Sequence, residues 1–185
     1  MATGLKLFLG ALLGLSLAAC QLLPQGDTGT AYLVRHAEKV TDGDAMIVAD
    51  PKDPPLTKEG RARAAQLAGL LKDAGITAIW SSDYTRTRQT AAPLARELGL
   101  EVQFYDPRDL EGLASVLQAD ANQTVLVVGH SNTTPQLSEA LGGDTGTPID
   151  EASEYDRLYV VNLKSGKTEI RRFGQPYERQ EPYEK

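Results

Sequence analysis

Cysteine and histidine are scarce in this sequence, and their scarcity excludes two kinds of stabilising site. Cys20 is the only cysteine, so the chain cannot form an internal disulfide and its stability must come from a hydrophobic core. The two histidines, His36 and His130, are distant in the sequence, and with one cysteine they provide too few ligands for a zinc site. The formal net charge of -6 argues against nucleic acid as a partner.

The apolar run near the N-terminus is too short to span a bilayer. Leu7 to Ala19 carries no charge and is shorter than the ~20 residues that a membrane-spanning helix needs. With Lys6 before it, the run is typical of the hydrophobic region of a signal peptide. It ends in Leu17-Ala18-Ala19-Cys20, which resembles the bacterial lipobox, where the cysteine is lipidated and becomes the mature N-terminus. We therefore predict a lipoprotein signal peptide over residues 1–19.

A lipid on Cys20 would hold the protein at a membrane surface, because several acyl chains anchor a protein firmly. The expected location is extracytoplasmic, in the cell envelope. Gln21 stands where an Asp would suggest inner-membrane retention, so the resemblance to such lipoproteins favours the outer membrane, facing the periplasm, in a Gram-negative cell. Residues 20–29 are predicted to form a lipidated tether and residues 174–185 a polar tail. Residues 30–173 remain for one domain.

Short apolar runs alternate with helical patterns along this domain. Strands are predicted at 31–34, 77–80, 101–105, 124–128, 155–163 and 168–173. Helices are predicted over 57–74, with Gly75 as C-cap, over 84–98, with Pro93 kinking or splitting it, and over 109–118 and 135–141. The alternation predicts a single α/β domain with a mainly parallel central sheet flanked by helices, and the last two strands form a C-terminal hairpin.

Each histidine directly follows an apolar strand. His36 stands in Val34-Arg35-His36-Ala37-Glu38, and His130 in Val128-Gly129-His130-Ser131. In open parallel sheets, sites lie beyond the carboxyl ends of the strands. Arg86 and Asp106 follow two other predicted strands, so these side chains are expected to meet at one edge of the sheet.

These residue types suit the chemistry of phosphoryl transfer. Arginines bind phosphate oxygens through a planar fork and balance the charge of the transition state. A neutral imidazole can attack phosphorus and form a covalent intermediate. A carboxyl group must protonate the leaving oxygen and later activate water. This scheme requires no metal and no cofactor.

Three segments, in this order, resemble the histidine phosphatase superfamily, the phosphoglycerate-mutase-like proteins. They are Arg35-His36-Ala37-Glu38, Asp83-Tyr84-Thr85-Arg86-Thr87-Arg88-Gln89-Thr90-Ala91 and Gly129-His130-Ser131. The resemblance covers roughly 32–173 and implies a phosphoglycerate-mutase-like fold. It implies His36 as the nucleophile and Arg35, Arg86 and His130 as the phosphate pocket. The main-chain N–H of Ser131 and the side chain of Asn132 are supplementary donors in this interpretation.

The general acid is the least defined residue, because the sequence departs from the family pattern after the third strand. Asp106 is preferred because it falls at the carboxyl end of that strand. Glu111 aligns about as well with the Glu of the family, and Asp109 is a third choice. Glu38 is expected to orient a pocket histidine or arginine, and Arg63 to be a solvated helix charge.

The sequence therefore predicts a metal-independent phosphatase that acts through a phosphohistidine on His36. The connector over 37–55 is long enough to border the site but too short to form a cap domain, so the site is expected to be open. An open site fits either a phosphorylated small molecule or a phosphoprotein as substrate. One alternative is a non-catalytic envelope lipoprotein that binds phosphorylated ligands. The other is a phosphoglycerate mutase, against which the predicted export argues.

Overall fold

The computed structural model describes residues 29–41 and 50–174. The predicted signal peptide, the lipidation site at Cys20 and nearly all of the tether and the polar tail lie outside these residues. Within the described part of the chain, no helix combines the length and apolar character needed to cross a membrane.

Six strands and four helices alternate along the chain. The strands are β1 (Thr30–Arg35), β2 (Ala78–Ser82), β3 (Val102–Tyr105), β4 (Thr124–Gly129), β5 (Arg157–Asn162) and β6 (Thr168–Arg172). The helices are α1 (Lys58–Leu71), α2 (Thr85–Leu98), α3 (Leu110–Ala119) and α4 (Thr133–Ala140). All ten lie at the predicted places, and most of their ends differ from the prediction by one to three residues.

The strands form one mixed sheet in the order β3-β2-β4-β1-β5-β6. The first four strands of this order are parallel, and β1 is aligned with β4 from Thr30 opposite Thr124 to Arg35 opposite Gly129. β5 runs antiparallel to β1 and forms a hairpin with β6. The prediction of a mainly parallel sheet with a C-terminal hairpin is therefore confirmed.

Helices cover both faces of the sheet, which explains the continuous apolar runs of β1 and β4. Alternate residues of β1 enter two different cores. Tyr32 and Val34 pack with α1 and α2, whereas Ala31 and Leu33 pack with α3 and α4. Both central strands are thus buried on two faces, and their carboxyl ends are held firmly in position.

Pro93 does not split α2, and the expectation of Gly75 as the C-cap of α1 is wrong. α2 is one helix through Pro93, because Leu94 and its neighbours pack against the sheet and offset the hydrogen bond that proline removes. Gly75 is not the C-cap of α1: the helix ends at Leu71 with Lys72 as its cap, and Gly75, at φ +72°, lies in the turn beyond.

Arg63 is a buried residue and not the solvated helix charge expected from the sequence. Its Nε donates to both carboxylate oxygens of Glu38 at 2.8 and 3.0 Å, and its Nη2 lies 2.7 Å from the same carboxylate. Glu38 therefore binds α1 rather than a pocket histidine or arginine. At this contact Gly60 is needed, because a Cβ there would lie 2.1 Å from the carbonyl oxygen of Glu38. The segment after β1 is thus packed closely on α1.

Candidate active site

The carboxyl ends of β1, β2 and β4 bring both histidines and Arg86 to one cleft. The rings of His36 and His130 meet edge to face, with centroids 5.5 Å apart. The cleft has a volume of about 390 Å³. It is lined by His36, Lys39, Tyr84, Arg86, Pro107, Arg108, His130, Ser131, Asn132, Thr133 and Glu151. The meeting of strand ends inferred from the topology is present at His36, Arg86 and His130.

His36 is held in a single orientation at the end of β1. Its backbone N–H donates to the carbonyl of Gly129 at 2.9 Å, and its ring Nδ1 lies 2.7 Å from the carbonyl oxygen of Ala37. A carbonyl can only accept, so Nδ1 carries the proton and the lone pair of the neutral ring lies on Nε2. The backbone N–H of Ala37 in turn donates to Thr90 Oγ1 on α2 at 3.0 Å.

Burial lowers the pKa of His36 well below its usual value, and the nearby charges of Arg35 and Arg86 add to the effect. His36 is only 3% exposed. The imidazole is therefore neutral at neutral pH, which is the protonation state that a nucleophile needs.

Hydroxyl groups of β2 and α2 hold the ring of His130. Ser82 Oγ lies 2.9 Å from His130 Nε2 and 3.2 Å from Thr87 Oγ1. Thr87 Oγ1 in turn donates to the carbonyl of Ser82 at 2.6 Å. Burial, followed by the charges of Arg86, Arg35 and Lys39, lowers the pKa of His130 to about 4.

Gly129 is required for the close packing behind His130. A Cβ at this position would lie 2.8 Å from both Thr133 Oγ1 and Tyr105 Oη. Thr133 Oγ1 also accepts the backbone N–H of His130 at 2.9 Å. The glycine of the Gly129-His130-Ser131 segment thus lets β3 and α4 fix the second histidine.

Arg86 reaches the cleft from the first turn of α2. Its guanidinium lies over the ring of Tyr84, 4.4 Å from the centroid, and Nη1 lies 3.5 Å from Asp53. Its Nε is buried and has no hydrogen-bond partner among the described residues. Burial lowers its pKa, although Asp53 opposes the shift.

Arg35 is buried beside the cleft and does not line it. Nη1 donates to the carbonyls of Asp150 and Glu154 at 3.2 and 2.9 Å, and Nη2 donates to the carbonyl of Glu151 at 2.7 Å. The guanidinium lies 4.1 Å from the ring centroid of Tyr155. Its buried Nε, like that of Arg86, has no partner in the described structure. Arg35 therefore holds the loop before β5 and keeps one N–H unused.

The carboxylates predicted as general acids follow β3 and are not part of the lining of the cleft. Asp106 is exposed and binds Arg108 through two hydrogen bonds of 3.0 and 2.9 Å. These hydrogen bonds lower its pKa to about 2, so it is charged at neutral pH and poorly suited to donate a proton. Asp109 caps α3 by accepting from the N–H of Gly112, and Glu111 lies exposed in the first turn of that helix. None of the three lines the cleft.

Sequence reasoning missed several residues of the cleft. Ser131 and Asn132, at the start of α4, were expected, whereas Lys39 and Glu151 were not. Lys39 directly follows the segment Arg35–Glu38, and this position in the sequence could have indicated that it lies near the cleft. Glu151 lies in a loop without periodicity, and only the contacts of Arg35 place it at the site.

Comparisons with known proteins agree with this geometry. Residues 31–108 match the family described as histidine phosphatase superfamily, branch 1. This part of the chain contains His36, Arg86 and the strands that precede them, and over these residues the chain is similar to that superfamily.

The curated relatives include the phosphoglycerate mutase GpmB of Escherichia fergusonii, 41% identical over 87 residues, which are 47% of this chain and 40% of that protein. GpmB of Escherichia coli is 42% identical over 73 residues, 40% of this chain and 34% of its own length. The chain therefore matches well under half the length of these relatives.

Among solved structures, the phosphohistidine phosphatase SixA from Agrobacterium tumefaciens covers 80% of this chain and 98% of its own, with a TM-score of 0.57 and 24% identity. A protein histidine phosphatase SixA bound to tungstate covers 78% of this chain and 95% of its own, with a TM-score of 0.59 and 19% identity. These likenesses confirm the phosphoglycerate-mutase-like fold.

Proposed function

We propose that this protein is a phosphatase that transfers the phosphoryl group of its substrate to His36 and then to water. The observation that supports this most directly is the pairing of a neutral His36, whose lone pair lies on Nε2, with two arginines, the buried Arg35 and the half-buried Arg86. Arg35 and Arg86 each have a buried Nε–H without a partner in the described structure. Unused N–H groups of cationic side chains suit the oxygens of a phosphate.

In the first step, Nε2 of His36 attacks phosphorus and the bond from phosphorus to the leaving oxygen breaks. The proton stays on Nδ1, which donates it in a hydrogen bond to the carbonyl of Ala37, and this hydrogen bond stabilises the positive charge that develops on the ring. In the second step, water attacks phosphorus, the P–N bond breaks and its electron pair returns to Nε2. Arg86 and His130 line the cleft in which the phosphate oxygens would lie. Arg86 can donate hydrogen bonds to these oxygens, and His130 can do so once its ring is protonated.

The predicted substrate is a phosphorylated small molecule or a phosphoprotein. Relatives of similar fold include a glucosyl-3-phosphoglycerate phosphatase as well as SixA, so the fold accommodates both classes. We further propose that Cys20 is lipidated and that the enzyme acts outside the cytoplasm. This part of the proposal rests on the sequence alone, because Cys20 lies outside the described residues.

A phosphoglycerate mutase is the second candidate, favoured by the identity with GpmB. It would use the same nucleophile and return the phosphoryl group to an organic acceptor instead of water. A non-catalytic phosphate-binding lipoprotein is the third, since the predicted acids do not line the cleft.

Hydrolysis of p-nitrophenyl phosphate by the full-length protein in detergent, with EDTA present, tests the proposal. We expect turnover that resists EDTA, and His36→Ala should reduce it by more than about 10⁴-fold while the circular dichroism spectrum is unchanged. Retained turnover in His36→Ala would refute the phosphohistidine. Phosphate binding without any turnover in the wild type would favour the binding protein, and a requirement for an organic acceptor would favour the mutase.

A further inference from the structure

A leaving alkoxide needs a proton, and the carboxylates that follow β3 are poorly placed to give one. Of the described residues that line the cleft, Glu151 alone carries a carboxyl group. It comes from the loop between α4 and β5, which follows His130 in the chain, whereas Asp106 precedes that histidine.

The backbone that carries Glu151 is fixed, but its carboxylate is not. Arg35 donates to the carbonyls of Asp150, Glu151 and Glu154, and the N–H of Glu154 donates to the carbonyl of Asp150 at 2.9 Å. By contrast, no described residue donates a hydrogen bond to the carboxylate of Glu151. A general acid needs this combination of a fixed backbone and an unused carboxyl group.

Glu151 also lies where the cleft joins a second groove of about 410 Å³. Ser131, Asn132 and Glu151 line both cavities. The groove continues past Pro135 and Ile149, away from the histidines. A large leaving group could extend from the cleft into this groove. The oxygen that joins it to phosphorus would then lie near Glu151.

We propose that Glu151 is the catalytic acid and base of the phosphatase, an inference that rests on the proposed function. As Nε2 of His36 bonds to phosphorus, the carboxyl group of Glu151 gives its proton to the leaving oxygen, and the P–O bond breaks. The resulting carboxylate then takes a proton from water, whose oxygen bonds to phosphorus as the P–N bond breaks. Glu151 ends protonated and His36 ends neutral, so the cycle closes without another reactant.

Glu151→Gln in the full-length protein tests this role, with kcat/KM measured on phosphate esters whose leaving groups differ in basicity. A good leaving group, such as 2,4-dinitrophenolate, needs no proton, so its kcat/KM should change by less than about threefold. An alkyl phosphate needs the proton, and its kcat/KM should fall by about 10²–10³-fold. The variant should also release a burst of dinitrophenolate, because the loss of the base slows hydrolysis of the phosphoenzyme.

Glu139→Gln, the same substitution at an exposed position of α4, is the matched control and should leave every kcat/KM unchanged. Equal losses on all esters in Glu151→Gln, or no loss on any, would overturn the inference. A selective loss on the alkyl ester in Asp106→Asn or Glu111→Gln would also overturn it, by moving the role to that residue. These results leave the proposed function intact, since it fails only if His36→Ala keeps its activity, if the wild type has none, or if turnover requires an organic acceptor.

Discussion

The two ends of the segment Arg35–Glu38 bury charge in opposite ways. At Glu38 the carboxylate meets Arg63 through three contacts of 2.7 to 3.0 Å, so the two charges cancel inside the fold. At Arg35 the partners are neutral carbonyls, and the buried Nε has no partner in the described structure. A few residues thus separate a charge that is paired with an opposite charge from one whose hydrogen-bond acceptors are uncharged carbonyls. Three changes would sharpen or break this comparison.

The largest effect is expected at the paired end. Arg63→Met leaves the carboxylate of Glu38 buried without its partner, which should lower the free energy of unfolding by about 3–5 kcal/mol. The double variant Glu38→Gln/Arg63→Met removes both charges and should recover most of that loss. Urea unfolding of the wild type and both variants measures the difference. Equal stability of the single variant and the wild type would show that the pair contributes nothing to the fold.

The next effect is expected at Arg86, whose buried Nε, like that of Arg35, has no partner among the described residues. Arg86→Met removes a donor for the phosphate and should lower kcat/KM by about 10²–10³-fold, corresponding to about 3–4 kcal/mol. The free energy of unfolding should change by less than about 1 kcal/mol, because the variant loses only a long, partly exposed contact with Asp53 and the contact with the ring of Tyr84. Arg96→Met, at an exposed position of the same helix, is the control and should keep full activity. A large loss of stability without loss of activity would place Arg86 with Arg63 as a residue of the fold.

The smallest effect is a dependence of stability on pH. Burial and the neighbouring cations lower the pKa of His130 to about 4, below its ordinary value in the unfolded chain. The unfolded state therefore binds more protons between pH 6.5 and 4, and the protein should lose stability as the pH falls through this window. His130→Gln should reduce the loss between pH 7 and pH 5 by about 1–2 kcal/mol. Urea unfolding at the two pH values, without phosphate, checks this, and an unchanged loss in the variant would contradict it.

The positions of the central strands and of the histidines that follow them can be predicted from the sequence. β1 and β4 have continuous apolar runs, which are typical of strands that are buried on both faces. A polar residue directly after such a strand lies at the carboxyl edge of the sheet. His36 and His130 could be placed by this argument alone. Arg86 could be placed because it lies in the first turn of the helix that follows β2.

The proton donor could not be placed in this way. Asp106 also follows a strand, but β3 is the edge strand of the sheet and its residues are half-exposed or exposed, so its carboxyl end opens to solvent. Arg63 and Glu38 are 25 positions apart, and no local pattern indicates that they meet. The position of Glu151 depends on an irregular loop, whose backbone carbonyls accept hydrogen bonds from Arg35. These side chains are set by tertiary contacts rather than by periodicity.

The hydrogen bond from Nδ1 of His36 to the carbonyl of Ala37 has a consequence for the identity of the phosphoenzyme. The proposed phosphohistidine would carry its phosphoryl group on the ring nitrogen remote from the backbone, as the tele isomer. The nearer nitrogen is occupied by its proton and faces a carbonyl oxygen that would repel a phosphate. The regiochemistry of the intermediate is thus determined by one main-chain oxygen, which no change of side chain at position 37 would remove.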